Sequence, residues 1–160
     1  MFFLDASALV KLYVEEEGTA VVRGIVSRRG GSLFVTELVA LEVLTAIRTA
    51  LRKESSATYS TALAQFWVDF PHLYNVVDVD PSVRQLAFSL TTSYREARAR
   101  SMDILHLATA VWLQTVSPAR PEVTMVTSDR DLADLAAQCG LRTFDPSREP
   151  LAALPRVPRR

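Results

Sequence analysis

Five short apolar runs punctuate this chain, and each of the first four gives way to a stretch with helical spacing. Phe2-Phe3-Leu4 ends at Asp5 and passes into residues 6–14, which read as a helix running toward Gly18. Leu33-Phe34-Val35-Thr36 precedes a long helical pattern over 37–53. Val76-Val77-Asp78-Val79 leads to Asp80-Pro81-Ser82, a helix start with proline in the tolerated first turn. Val123-Thr124-Met125-Val126-Thr127 leads to a helix over 129–138 that Gly140 stops, and Leu141-Arg142-Thr143-Phe144 is the last run. Strands that feed helices in this way bury both sheet faces only when the strands run parallel and helices cover both sides. The pattern therefore predicts an α/β domain of three layers, with a mainly parallel central sheet flanked by helices. Such sheets place ligands beyond the carboxyl ends of their strands.

The remaining segments fit the same frame. Helices are expected over 19–27, 57–70 and 102–116, the last apolar enough to be buried. Residues 29–32 read as a turn, 93–100 as polar and irregular, and 117–121 as a loop. The tail from Pro146 holds four of the eight prolines together with Arg148, Arg156, Arg159 and Arg160. It reads as a mobile extension, 147–160, of a domain spanning 1–146.

Composition narrows the function classes. At 160 residues the chain is one domain's worth, and 49% apolar residues exclude general disorder. Eighteen basic residues balance eighteen acidic ones, so no global field draws the chain to nucleic acid or to a membrane, and any such contact must be local. Sixteen of the basic residues are arginine, a skew given no functional weight. Cys139 is the only cysteine, which excludes an internal disulfide and fits a reducing compartment. The N-terminus has no basic segment and no apolar run approaches the ~20 residues that span a bilayer, so a cytoplasmic location without membrane contact is expected.

Four acids stand where an acid needs explaining. Asp5 and Asp129 follow strands and precede helices, so each either caps a helix or points into the crevice. Glu42 belongs to an almost uncharged helix, on a stripe with Leu38, Leu41, Thr45 and Thr49. Buried there, it needs either a partner such as an arginine or a metal. Asp103 opens the apolar helix that also carries His106, and it either complements the helix dipole or faces the site. His106 reads as a hydrogen-bonded structural histidine or as a flank of that site. Four converging carboxylates repel one another, and a divalent cation resolves that repulsion. All-oxygen ligands select Mg²⁺ or Mn²⁺, and two histidines with one cysteine are too few for a conventional zinc set. Such a metal suits phosphodiester hydrolysis.

The same residues resemble the PIN-domain ribonucleases, specifically the toxins of VapBC toxin–antitoxin pairs. The resemblance is carried in order by Phe3-Leu4-Asp5-Ala6-Ser7-Ala8-Leu9-Val10-Lys11, Thr36-Glu37-Leu38-Val39-Ala40-Leu41-Glu42-Val43, Asp103-Ile104-Leu105-His106-Leu107-Ala108-Thr109-Ala110 and Val126-Thr127-Ser128-Asp129-Arg130-Asp131-Leu132. It implies a PIN-like fold and a Mg²⁺ site of Asp5, Glu42, Asp103 and Asp129, with Asp5 and Asp103 central. Ser7 and Thr127 would orient water or the scissile phosphate. Metal-activated water would cleave RNA endonucleolytically, leaving 5′-phosphate and 3′-hydroxyl ends. The family further implies a homodimer and a VapB-like antitoxin that inserts a segment into the active-site groove. Ile104 departs from the family's usual small residue and would narrow the crevice. Asp131 competes with Asp129 for the fourth position, and Glu37 with Glu42, although Glu37 lies roughly 140° away on the helical wheel.

Arg95, Arg98 and Arg100 form the densest basic segment outside the tail and are candidate RNA-phosphate contacts, against the reading of a solvated loop. Other readings of the chain are a PIN nuclease of RNA processing without a toxin role and a non-catalytic RNA- or protein-binding PIN scaffold. An aspartyl phosphatase is disfavoured, because its second acid would stand where Ser7 stands.

Overall fold

The computed structural model describes residues 1–29, 32–117 and 122–155. Its centre is a sheet of five strands: β1 (Phe2–Leu4), β2 (Leu33–Thr36), β3 (Asn75–Val77), β4 (Thr124–Val126) and β5 (Arg142–Phe144). They lie in the order β3-β2-β1-β4-β5, and every pairing is parallel. Strand order reverses at β1, which opens a crevice beyond the carboxyl ends of β1 and β4.

Among the described residues seven helices cover the sheet: α1 (Ala6–Leu9), α2 (Thr19–Arg29), α3 (Val39–Ala50), α4 (Ser56–Leu73), α5 (Pro81–Ser93), α6 (Ser101–Thr115) and α7 (Arg130–Gln138). The alternation of β1 separates their two cores. Phe2 and Leu4 pack with Ile25, Val43 and Phe66 from α2 to α4, whereas Phe3 packs with Val83, Leu107 and Leu132 from α5 to α7. Phe2, Phe3 and Leu4 are all fully buried, each side chain contributing about 1.5–3 kcal/mol. This two-sided burial is why β1 reads as a continuous apolar run.

Several boundaries shift for local reasons. The first helix is a single α turn that tightens into a 3-10 turn over Val10–Leu12. Helix α3 begins at Val39, because Glu37 is tied to β3: its amide donates to the Val77 carbonyl and its carboxylate accepts from the Val79 amide at 3.1 Å. That contact also holds Glu37 away from Glu42. Helix α4 continues through Pro71 to Leu73, with Phe70 and Leu73 packed on the first core. The expected turn at 29–32 and loop at 117–121 lie largely outside the described residues, as do the tail arginines Arg156, Arg159 and Arg160.

The tail begins as a docked segment and not as a free extension. Leu154 is buried in the first core and Leu151 packs against it, so the packing continues past the boundary expected at residue 146. Gly18 accommodates this approach: it has φ +91°, and a Cβ there would lie 2.6 Å from the Pro146 carbonyl oxygen. None of the described helices is long and apolar enough to cross a membrane.

Candidate active site

The carboxyl ends of β1 and β4 are joined through one carboxylate oxygen. Asp5 follows β1, is 4% exposed, and caps α1 by accepting from the Ser7 amide at 3.1 Å. The same oxygen, Oδ2, accepts from the Ser7 hydroxyl at 2.7 Å and from the Thr127 hydroxyl at 3.1 Å. Ser7 Oγ accepts from the Ser128 amide, and Thr127 Oγ1 from the Asp129 amide. Both hydroxyl protons are thus spent on Asp5. The residues expected to orient water or phosphate act first as anchors of that carboxylate.

The other three acids arrive from separate helices, and each is also held by one oxygen. Asp129 caps α7 through Oδ1 and the Leu132 amide. Asp103 reaches back through Oδ2 to the Arg100 amide at 2.7 Å, closing the first turn of α6. Glu42 meets the imidazole of His106 through Oε2. The helix-cap readings of Asp5 and Asp129 therefore hold. In all four carboxylates the second oxygen takes part in no hydrogen bond among the described residues.

Convergence registers at Asp103. Its pKa is raised, chiefly by burial, against the lowering effect of the Arg100 amide, and the charges of Asp5, Asp129 and Glu42 raise it further. Asp129 is among these neighbours. Asp131 is exposed and lines a separate cleft with Arg98 and Asp134. Among the described residues no three acidic, histidine or cysteine side chains form a closed metal-binding group. The arrangement still suits a hard divalent cation. Its donors are oxygens, each acid keeps one oxygen uncommitted, and Mg²⁺ is commonly held by one or two carboxylates while retaining water.

Glu42 departs from its sequence reading. Its stripe is the exposed side of α3, with Leu41, Thr45 and Thr49 open to solvent, while Val39, Val43 and Ile47 form the buried side. The Glu42 side chain is 26% exposed, and its partner is His106 in place of an arginine. His106 is completely buried, and its Nδ1 lies 2.7 Å from the hydroxyl of Thr36, also completely buried. Burial pushes the His106 pKa down; the Glu42 hydrogen bond and the charges of Asp5, Glu42 and Asp103 outweigh it, and the net shift is upward. The spacing of Asp103 and His106 signalled a flanking role, but no local pattern pointed to Thr36.

A family model described as PIN domain matches residues 2–138. The chain belongs to the PIN-domain family. Over 149 residues, 92% of this PIN domain's chain and 98% of the relative, it is 29% identical to Ribonuclease VapC35 of Mycobacterium tuberculosis, in two strains. Its fold is similar to that in the crystal structure of FitAcB from Neisseria gonorrhoeae, with TM-score 0.70 and 12% identity over 93% of this chain and 100% of that one. It is also similar to PAE2754 from Pyrobaculum aerophilum, with TM-score 0.59 and 18% identity over 96% and 97% of the two chains.

The docked tail of this PIN domain reaches the back of the site. The Ser128 hydroxyl donates to Asp145 at 3.0 Å and lies 2.9 Å from that of Ser147, which in turn bonds the Glu17 carbonyl. The three candidate RNA contacts separate: Arg95 pairs weakly with Glu96 in solvent, Arg98 lines the cleft of Asp131 and Asp134, and Arg100 adjoins Asp103. Ile104 packs against the second core.

Proposed function

We propose that this PIN domain is a Mg²⁺-dependent endoribonuclease, with Mn²⁺ as a substitute, that acts as the toxin of a type II toxin–antitoxin pair. The observation that supports this is that Asp103 feels the charges of Asp5, Glu42 and Asp129, acids brought by separate elements, beside the carboxyl edge where strand order reverses. The name of the curated relatives supports RNA as the substrate. Asp5 and Asp103 would be the central residues holding the cation, with Glu42 and Asp129 in support. The cation, when bound, supplies Lewis acidity at the scissile phosphate and lowers the pKa of the attacking water. Ser7 and Thr127 keep Asp5 fixed, so the acidic edge is set before substrate arrives. Arg95, Arg98 and Arg100, in the segment that leads into α6, are the basic side chains we assign to RNA phosphates.

An exposed groove along α3, lined by Leu41, Thr45, Thr49 and Met102 beside Glu42, supports control by a VapB-like antitoxin segment. A homodimer and a cytoplasmic location complete the reading. The test is cleavage of a mixed RNA pool with Mg²⁺, with EDTA, and with Asp5→Asn. Discrete products should vanish with EDTA and fall by about a hundredfold or more in the variant. Equal cleavage by the variant would sink the proposal.

A further inference from the structure

Three elements meet at one buried imidazole. His106 belongs to α6, Thr36 ends β2, Glu42 belongs to α3, and the chain of contacts is Thr36 Oγ1, His106 Nδ1, His106 Nε2, Glu42 Oε2. His106 and Thr36 are completely buried. Along α6 the buried neighbours of His106 are Leu107, Ala108, Ala110 and Thr109, and the Thr109 hydroxyl is spent on the Leu105 carbonyl, so Thr36 and Glu42 are the polar partners left to the imidazole among the described residues. Burying an imidazole and a hydroxyl is costly unless both are bonded.

Proton counting gives the chain a direction. An ionised carboxylate only accepts, so Nε2 carries the hydrogen that bonds Glu42. In the neutral ring Nδ1 then accepts, and the Thr36 hydroxyl is its donor. The consequence falls on Glu42. Its side of α3 faces solvent, and mutual repulsion with Asp103 opposes a carboxylate turned toward that acid. Among the described residues the bond to His106 is the one hydrogen bond its carboxylate makes.

We propose that Thr36 and His106 form a positioning relay that aims Glu42 at the acidic site. His106 is a positioning residue that acts through Glu42. The proposal rests on the nuclease reading above, and its test separates the two. Nitrogen NMR of the full chain without metal reports which imidazole nitrogen carries a proton; His72, the other histidine, is identified by His72→Gln. Nε2 of His106 should be protonated. A bare Nε2 would overturn the relay, whatever the protein cleaves.

Mn²⁺ titration of the same samples is the second readout. His106→Ala should weaken binding by about tenfold. His106→Gln, whose amide N–H can replace Nε2–H, should restore most of it, and Thr36→Val should weaken it by less than His106→Ala. His106→Leu restores packing without the hydrogen bond and should be as defective as His106→Ala. Recovery in His106→Leu would overturn the relay in favour of a filler histidine. Absence of Mn²⁺ binding by the unaltered protein, with Nε2 protonated, would overturn the metal-dependent nuclease reading and leave the hydrogen-bond relay standing.

Discussion

Two buried regions of this molecule handle their polar groups in opposite ways. At the carboxyl edge of the sheet, Asp5, Thr36, His106 and Thr127 are all buried and all hydrogen-bonded. Beneath α4, Tyr13 and Tyr74 bury their hydroxyls without a hydrogen-bond partner among the described residues. The two hydroxyls feel each other and Asp69 electrostatically, but neither achieves hydrogen-bonding geometry. Rings do the work there: Phe66 meets Tyr13 and Trp67 edge-on, with centroids 5.4 and 5.2 Å away, and lies 5.3 Å from Phe70. Directional bonds fix where the acids point, while aromatic bulk supplies stability with little demand on orientation. Damage to the two regions should therefore differ in kind.

The sharpest break is Phe66→Ala, which empties the middle of the aromatic layer. It should cost about 3–5 kcal/mol in denaturant unfolding and leave RNA cleavage per folded molecule unchanged. A matching fall in cleavage would show that the two regions are not separable. Truncation after Pro146 removes buried Leu154, half-buried Leu151 and the Ser147 contact with Ser128. It should cost on the order of 2–3 kcal/mol, again read in denaturant. A loss of less than half that would make the tail the extension that its composition suggested.

Thr127→Val keeps the volume at the carboxyl edge but deletes one donor to Asp5 and strands the Asp129 amide. Its stability cost should be about 1–3 kcal/mol, and it should lower cleavage by at least about tenfold, the reverse of the Phe66 pattern. Unchanged cleavage would remove the anchoring role.

Tyr74→Phe should have the smallest effect at neutral pH, within about 1 kcal/mol, because the hydroxyl it deletes has no bond to lose. Alkaline titration separates it from the unaltered protein. Burial above all, with the Asp69 charge adding, pushes Tyr74 from 10.0 up to about 12. Between those values the unfolded chain loses this proton before the folded one does. Stability is therefore intact below pH 10, declines as pH rises toward the folded value, and levels beyond it. Tyr74→Phe should lack that share of the decline, on the order of 2 kcal/mol, in unfolding measured across the window. Parallel curves for the two proteins would show that the hydroxyl is solvated.

Much of this architecture is legible in short stretches of sequence. Phe2-Phe3-Leu4 announces a strand buried on both faces, and its periodicity already assigns Phe3 to a different core from its neighbours. The acids at 5 and 129 announce themselves as strand-to-helix junctions. Glu42 was legible as a residue needing a partner, but the identity of that partner was not. Its helix is almost uncharged in sequence, yet half of it faces solvent and the partner comes from α6. Likewise, the sequence pattern predicts a helix over 57–70, but α4 continues through Pro71 to Leu73 because later side chains have a core to reach.

The sequence by itself therefore determined the order of the elements, the parallel three-layer arrangement and the acids placed at the strand ends, because periodicity, caps and strand-to-helix junctions are local. Tertiary structure decided the rest. Thr36 and His106 stand seventy residues apart, Ser147 and Glu17 a hundred and thirty, and Thr127 reaches Asp5 across a hundred and twenty-two. Contacts of that span depend on which sides of the sheet the helices cover. No window of sequence contains that information, since it exists only when the chain has closed around both faces of β1.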